Sequence, residues 1–482
     1  MVENKKSQVA FLVLAAGQGK RMHSSDPKVL SPAAGEPMLF HILRRILVVD
    51  PRAPIAIVVG HQREKVEARV REGFPDASIE FAHQTEQLGT GDAARAAMGS
   101  PWGEAQVRAK RNVLVLPGDQ PTISEALVRQ MSEGLSRGAA MRLLTCTVAQ
   151  PHGYGRIVRK GKSGPVLKIV EEKDASLREK EIREVATSIY LFDAAFLKAG
   201  LRRLTNKNAQ AEYYLTDLVQ QCAGAKKKIE VLHWAEPSDV RGVNTPWELA
   251  EASRILYARC ARDWALRGVR FIQPETTLID ARVELEPEVV IYPGVLLEGA
   301  TKVGRGAVIG PHCQIRDSII ESGAELRAGC VFERAHVGAE AKIGPYAHLR
   351  PESRVGARAK IGNFVELKKT SIGEEASIAH LSYLGDAEVG ARSNIGCGFV
   401  TCNFDGRVIA GERKHKTVIE EDVFMGSDCQ TVAPVRVGRG AYVASGSTIT
   451  SDVEPEALAI ARARQVNKPG YARKLKPGKG DQ

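Results

Sequence analysis

Aromatic side chains are scarce in this 482-residue chain: 4 Trp, 10 Tyr and 12 Phe, 5% in all. The tryptophans, Trp102, Trp234, Trp247 and Trp264, all precede residue 265, so the second half must fill its interior with something else. Long apolar runs are missing as well. Val9 to Gly17 is apolar for only nine residues, against about 20 for a membrane-spanning helix. Met1 to Lys6 is short and polar and lacks the layout of a secretion signal. These absences point to a cytoplasmic chain with no membrane partner. The eight cysteines contain no Cys-x-x-Cys pair and no metal-ligand spacing, so they read as reduced, partly buried thiols. With 43% hydrophobic and 26% charged residues, disorder and collagen are excluded as global descriptions.

Glycine, by contrast, is in excess and unevenly spread: 20 fall in residues 1–268 and 22 in the shorter stretch 269–461. The chain changes character near residue 268. Between the two regimes, Leu249, Ala252, Ile255 and Leu256 have helical spacing, and Gly268 is a stop signal, which predicts a connector helix. The expected division is residues 1–244, a linker helix over 245–268, and residues 269–482. The net charge of +11 is uneven too: residues 462–482 carry seven basic residues and one aspartate. No nucleic-acid-binding motif accompanies this tail, so no nucleic-acid partner is expected.

The first region alternates short apolar runs with helix-like segments. Val9–Leu14, Ile55–Val59 and Asn112–Leu116 read as strands, while His41–Val49 and Arg63–Glu72 read as helices. This predicts a doubly wound α/β domain with a largely parallel sheet and a ligand at the carboxyl ends of its strands. One such end is Leu14-Ala15-Ala16-Gly17-Gln-Gly19-Lys-Arg21, followed by Pro27-Lys28. Its backbone could cradle a phosphate, with Arg21 and Lys28 as counter-charges. An ordinary strand-to-helix turn with solvated cations would look much the same.

The second region has a six-residue period. Val337, Ile343, Leu349, Val355, Ile361 and Leu367 repeat without a break, and Val283, Val289, Val295 and Val303, Ile309, Ile315 follow the same rhythm. Ile372, Ile378 and Leu384 come after a five-residue step; Ile419, Met425, Thr431, Val437, Val443 and Ile449 resume the period. Such a repeat marks a parallel β-helix with one aliphatic residue per face, about 18 residues per coil and about ten coils. Coil arithmetic stacks Arg350 on Lys368 and Tyr383 on Glu366, with His380 on a neighbouring face. Two stacked cations suit an anionic ligand, or simply a screened surface. Gly396 to Thr417 breaks the rhythm and reads as a projecting loop.

Further segments complete a pattern: Gln84-Thr-Glu-Gln-Leu-Gly89-Thr90-Gly91, Pro117-Gly118-Asp119, Tyr154-Gly155-Arg156, Glu171 with Lys173, and Gly242-Val243-Asn244. In order and content they resemble the sugar-1-phosphate nucleotidyltransferases. With the hexapeptide region attached, the chain resembles the bacterial bifunctional family that joins an N-acetylglucosamine-1-phosphate uridylyltransferase to a glucosamine-1-phosphate acetyltransferase. The resemblance implies a Rossmann-like nucleotidyltransferase domain, a linker helix and a left-handed β-helix. It places UTP and the sugar on Leu14, Ala15, Ala16, Gly17, Arg21, Lys28, Gln84, Gly89, Thr90, Gly118, Asp119, Gly155, Glu171 and Asn244. Magnesium (Mg2+) would sit on Asp119 and Asn244.

In the β-helix the same resemblance puts glucosamine-1-phosphate on Arg350, Lys368, Tyr383 and Asn394, with His380 as general base. A histidine suits that task because its proton exchanges near neutral pH. Glu366 is a loose candidate to orient its ring. Acetyl-CoA would meet Cys397, Asn403, Phe404, Ser427, Ser445 and Arg462. The family's trimeric assembly would share each site between subunits, and the basic tail would serve CoA phosphates and trimer contacts. Some positions depart from the family pattern. Ala186-Thr187-Ser188 replaces Asn-Thr-Gly, removing an amide expected to contact the nucleotide sugar. Pro117 and Phe404 replace tyrosines, and Cys397 and Ser445 replace alanines. The alternatives are a single-function nucleotidyltransferase with a structural or regulatory β-helix, or an acetyltransferase with an impaired first domain.

Overall fold

The computed structural model describes residues 8–161, 164–406, 408 and 413–475. Part of the projecting loop (407, 409–412) and the end of the basic tail (476–482) lie outside them. The chain divides into two compact units, Met1–Tyr257 and Ala258–Gln482, and the division falls inside the helix Pro246–Leu266. Among the described residues no helix is long and apolar enough to cross a membrane.

The first unit is built on one sheet. Its strand order is Lys228–Trp234, Ala139–Thr147, Glu184–Asp193, Asn112–Pro117, Val9–Leu14, Ile55–Val59, Ile79–His83. Val9–Leu14 lies parallel between Asn112–Pro117 and Ile55–Val59. Its burial explains why it reads as an unbroken apolar run: strands covered on both faces need no polar alternation. Glu184–Asp193 runs antiparallel to both of its neighbours, so the sheet is mixed. Helices cover both faces, among them Met38–Val49, whose apolar side packs against the sheet through Leu39, Ile42, Leu43 and Ile46. The carboxyl ends of Val9–Leu14 and Asn112–Pro117 open side by side, which fixes where a ligand can sit.

The second unit is a parallel β-helix. Among its described residues, three sheets of eleven, ten and nine short strands run along it. The expected stacking holds: Leu349 pairs with Leu367 and Leu367 with Leu384, and Ile343, Ile361, Ile378 and Ile395 form another ladder. The interior differs from the expectation in one respect. Each face sends two residues inward, not one, because a small residue two positions earlier is also buried: Ala341 with Ile343, Ala347 with Leu349, Ala359 with Ile361. On the third face that place is often a hydroxyl, as at Thr301, Ser318, Ser353 and Thr370. Thr370 Oγ1 lies 2.9 Å from the carbonyls of both Lys368 and Leu384 and has its one proton to donate between them, so the buried hydroxyl is satisfied. Alternating small and branched residues fill most of a narrow prism, and among its described residues Phe332 and Phe399 add two fully buried rings. The projecting loop is also shorter than expected. Ile395 still pairs with Met425 and Val400–Cys402 with Gln430–Val432, so the rhythm breaks only after Cys402.

Candidate functional site

In the first unit a cavity of about 460 Å³ opens at the strand ends. Of the residues singled out from sequence, Leu14, Ala15, Ala16, Gly17, Lys28, Gln84, Gly89, Thr90, Asp119 and Glu171 line it. Backbone bonds from Ala15 to Val58 (2.9 Å) and from Gly118 to Leu14 (2.8 Å) hold the glycine loop between two strand ends. A Cβ at Gly17 would meet nothing within 4 Å, so the loop leaves open space at its tip. At Gly118 a Cβ would lie 2.9 Å from the Leu14 carbonyl, so only glycine lets the two turns approach. Arg21 stands apart, exposed in the short 3-10 turn Lys20–Met22 and outside the described lining.

Three predicted residues converge on one point. The Lys28 ammonium donates to Asp119 Oδ2 at 2.5 Å and to Asn244 Oδ1 at 3.2 Å. The loops that carry the two oxygens are tied together, since the Val243 N–H donates to the Asp119 carbonyl at 2.9 Å. Asn244 is steadied from behind by the start of the connector helix. Glu248 accepts from the backbone N–H groups of Asn244 (2.7 Å) and Thr245 (2.9 Å), and Thr245 Oγ1 accepts from the Glu248 N–H at 3.2 Å. This is a capping box, readable as Thr245-x-x-Glu248.

Around the cavity the other expected residues are held by the protein itself. Gln84 is buried and donates to Asp92 Oδ2 (2.9 Å) and to the Gly89 carbonyl (3.1 Å). Thr90 Oγ1 accepts from the Leu215 N–H at 3.2 Å. At the other end, Glu171 accepts a hydrogen bond from Thr216 at 3.0 Å. Burial pushes its carboxyl above the usual carboxylate range, and Asp217, Asp174 and Glu212 add to this while the Thr216 hydroxyl opposes it. Gly155 lies behind it, where a Cβ would be 3.3 Å from Glu171 Oε2. Sequence reasoning missed Thr216 and Gln120. Gln120 is buried, and its amide donates to the Thr187 carbonyl at 2.9 Å, tying the Asp119 turn to the next strand.

In the β-helix the predicted residues gather over a few coils. His380 is exposed at the end of Ser377–His380, in register with Asn363. Its Nδ1 is hydrogen-bonded to Asn363 Oδ1. An amide oxygen only accepts, so in the neutral ring Nδ1 is the nitrogen that carries the proton and Nε2 the one that bears the lone pair. Glu366 does not orient this ring. It pairs with Arg350 at 2.8 Å and faces Tyr383 in register. Asn363 was within reach of the same arithmetic, being 17 residues before His380 just as Glu366 is before Tyr383.

Lys368 lies close to Lys414, and the Lys414 ammonium, then Arg350, holds it below the usual lysine range. Three cations therefore share one patch, and Lys414 was not foreseen. Asn403 is buried and donates to Asp386 Oδ2 at 2.6 Å. A Cβ on Gly385 would lie 2.5 Å from the Tyr383 hydroxyl and 2.6 Å from the Asn403 amide nitrogen, so glycine lets these two groups meet. Asn394 lies further along, between Ser377 and Phe424. Phe404 is 60% exposed on the projecting loop. Cys397, Ser427 and Ser445 occupy equivalent positions on successive coils, fixed by the Ile395–Met425 and Met425–Val443 pairs. Arg462 joins them, its guanidinium donating to the Ser445 carbonyl at 2.9 Å.

Comparison with known proteins agrees with this division of labour. Residues 11–176 match the family model of the MobA-like NTP transferase domain. Over 466 residues the chain is 44% identical to the bifunctional protein GlmU of Trichlorobacter lovleyi, covering 96% of this chain and 98% of that one. It is 42% identical to the GlmU of Carboxydothermus hydrogenoformans over 463 residues (96% and 99%) and to that of Geotalea uraniireducens over 471 residues (98% and 100%). Because each match runs through both the cavity-bearing unit and the β-helix, the chain as a whole belongs to the family of bifunctional GlmU proteins.

Proposed function

We propose that the β-helix transfers the acetyl group of acetyl-CoA to glucosamine-1-phosphate, and that the first unit then transfers uridylyl from UTP to N-acetylglucosamine-1-phosphate, yielding UDP-N-acetylglucosamine. The observation that carries the reading is the convergence of Lys28, Asp119 and Asn244 beside the glycine-loop cavity. Phosphoryl-type transfer needs positioning and charge neutralisation above all. The loop of Leu14 to Gly17 cradles the phosphates, Lys28 neutralises them, and Gln84, Gly89 and Thr90 hold the base. Glu171 and Gly155 bound the sugar end, so the sugar phosphate oxygen is set in line with the α-phosphorus.

The donor set suits Mg2+. Asp119 and Asn244 aim two oxygens at one cationic point, now held by the Lys28 ammonium, and Mg2+ takes one or two protein oxygens with phosphate and water completing the shell. Among the described residues no cluster of three His, Cys, Asp or Glu offers a fuller cage. When bound there, the metal would neutralise charge on the triphosphate.

In the β-helix, Arg350, Lys368 and Lys414 hold the phosphate of glucosamine-1-phosphate, and Tyr383 contacts its sugar. His380 Nε2 takes a proton from the amine as nitrogen attacks the thioester carbonyl, and CoA leaves as its thiol after reprotonation. Cys397, Ser427, Ser445 and Arg462 form one edge along which CoA lies. A homotrimer through the β-helix is supported by apolar rings left on its surface, Tyr346 stacked on Phe364 and Phe424 stacked on Tyr442. The test is one incubation with glucosamine-1-phosphate, acetyl-CoA, UTP and magnesium, with products identified by mass. UDP-N-acetylglucosamine, CoA and pyrophosphate are expected. Pyrophosphate without CoA, given the acetylated substrate, would favour a single-function nucleotidyltransferase.

A further inference from the structure

We infer that Ser188 is a specificity-determining residue of the uridylyl reaction, its hydroxyl holding the sugar of the sugar-phosphate substrate; this rests on the uridylyl reading above. Strand Glu184–Asp193 loses its register against Ala139–Thr147 between Ala186 and Tyr190. At the middle of that irregularity Ser188 has φ 61°, in the left-handed region. A side chain there is strained, and glycine would take the position without penalty. Strain of this kind persists only where the surroundings enforce it, and it gathers at ligand sites.

The surroundings do enforce it. The Thr187 carbonyl accepts from Gln120 at 2.9 Å, and the Thr187 hydroxyl donates to the Leu144 carbonyl at 3.1 Å. The Ala186 N–H donates to the Gly155 carbonyl at 2.9 Å. The bulge is thus pinned just before Ser188 by these bonds, and after it Tyr190 resumes pairing with Leu143 and Val115, at the end of the cavity where Gly155 backs Glu171. Ser188 itself is exposed and lines the cavity. Ala186 on the same bulge offers only a methyl group. The polar contact this segment can give a ligand therefore falls to the Ser188 hydroxyl, which both donates and accepts and so matches a sugar hydroxyl or amide.

Two variants separate binding from backbone strain. Ser188→Gly removes the hydroxyl and relieves the strain; Ser188→Ala removes the hydroxyl and keeps the strain. Pyrophosphate release and melting are measured on the full chain. Both variants should raise the KM for N-acetylglucosamine-1-phosphate about three- to tenfold, the range of one neutral hydrogen bond, and leave the KM for UTP unchanged. Tm should rise in Ser188→Gly and not in Ser188→Ala. An unchanged sugar-phosphate KM in both variants overturns the inference alone, as does a raised KM with lowered Tm in Ser188→Gly, because a structural role would explain both changes. A wild-type chain that releases no pyrophosphate overturns the uridylyl reading and the inference with it.

Discussion

The two candidate sites are made in different ways. In the first unit, loops at adjacent strand ends curl round a cavity of about 460 Å³, and its polar groups are already tied to one another. In the β-helix, the corresponding side chains stand on the outer faces of strands two to four residues long, and His380 is exposed. A wound sheet makes a pocket from one chain because its loops part and converge where the strand order reverses, here between Val9–Leu14 and Asn112–Pro117. A solenoid lays residues out in rows and does not close over them. In the proposed trimer the β-helix site would therefore take its other wall from a partner copy, whereas the first site would need none.

This contrast can be broken by separating the activities. His380→Ala should cost acetyl transfer about 10²–10⁴-fold, the usual reach of a general base, with uridylyl transfer unchanged. Thiol release and pyrophosphate release measured on one preparation would decide; parallel loss of both would mean the sites are not independent. Asp119→Ala should do the reverse, lowering uridylyl transfer about a hundredfold or more while leaving CoA release intact. Magnesium-dependent uridylyl transfer at the wild-type rate would remove Asp119 from the metal role.

A packing variant sharpens the comparison from the side of stability. Leu367 is fully buried between Leu349 and Leu384. Leu367→Ala should destabilise the β-helix by about 2–5 kcal/mol, seen in calorimetry of the full chain as a lower transition for that unit. Acetyl transfer should fail at a lower temperature, and uridylyl transfer should keep its own profile. Lys414→Ala is milder. Losing one of three clustered cations should raise the KM for glucosamine-1-phosphate about tenfold, with an effect that shrinks in high salt. A salt-independent KM would separate Lys414 from the phosphate.

How far each site could be read from sequence follows from the same difference. The β-helix is periodic, so counting along the sequence alone places Leu349, Leu367 and Leu384 on one ladder and Tyr383 against Glu366. What counting could not supply was the direction of side chains: Glu366 turns to Arg350, and Asn363 takes the histidine. Lys414 escaped because it lies in the projecting loop, where the period gives no position. In the first unit the strands and the glycine loop were legible as apolar runs ending in glycine. The convergence of Lys28 with Asp119 and Asn244 was reached only through resemblance, because those residues are 91 and 216 positions apart from Lys28. Gln120 and Thr216 carried no local signal at all; their roles come from tertiary contacts between distant turns.

The smallest expected effect concerns the sign of a pH dependence. Burial raises the Glu171 carboxyl above its usual 4.5. Between that value and the raised one the folded chain holds one more proton than the unfolded chain, so stability falls as pH rises through the window. At neutral pH the charged form is a cost, one that the proposed role of Glu171 as hydrogen-bond acceptor for the sugar would explain. Glu171→Gln should then stabilise the first unit at pH 7 and raise its Tm, while raising the KM for the sugar phosphate. The gain should vanish in acid below the usual carboxylate range. On the β-helix, half-buried Glu420 is pulled below 4.5 by the Arg439 backbone N–H and by Arg436. It contributes stability above that value and loses it as pH falls, so Glu420→Gln should lower Tm at neutral pH and not in acid. Calorimetry of the two variants from acid to neutral pH reads both signs. A Glu171→Gln gain that persisted unchanged in acid would mean that the buried charge was never its source.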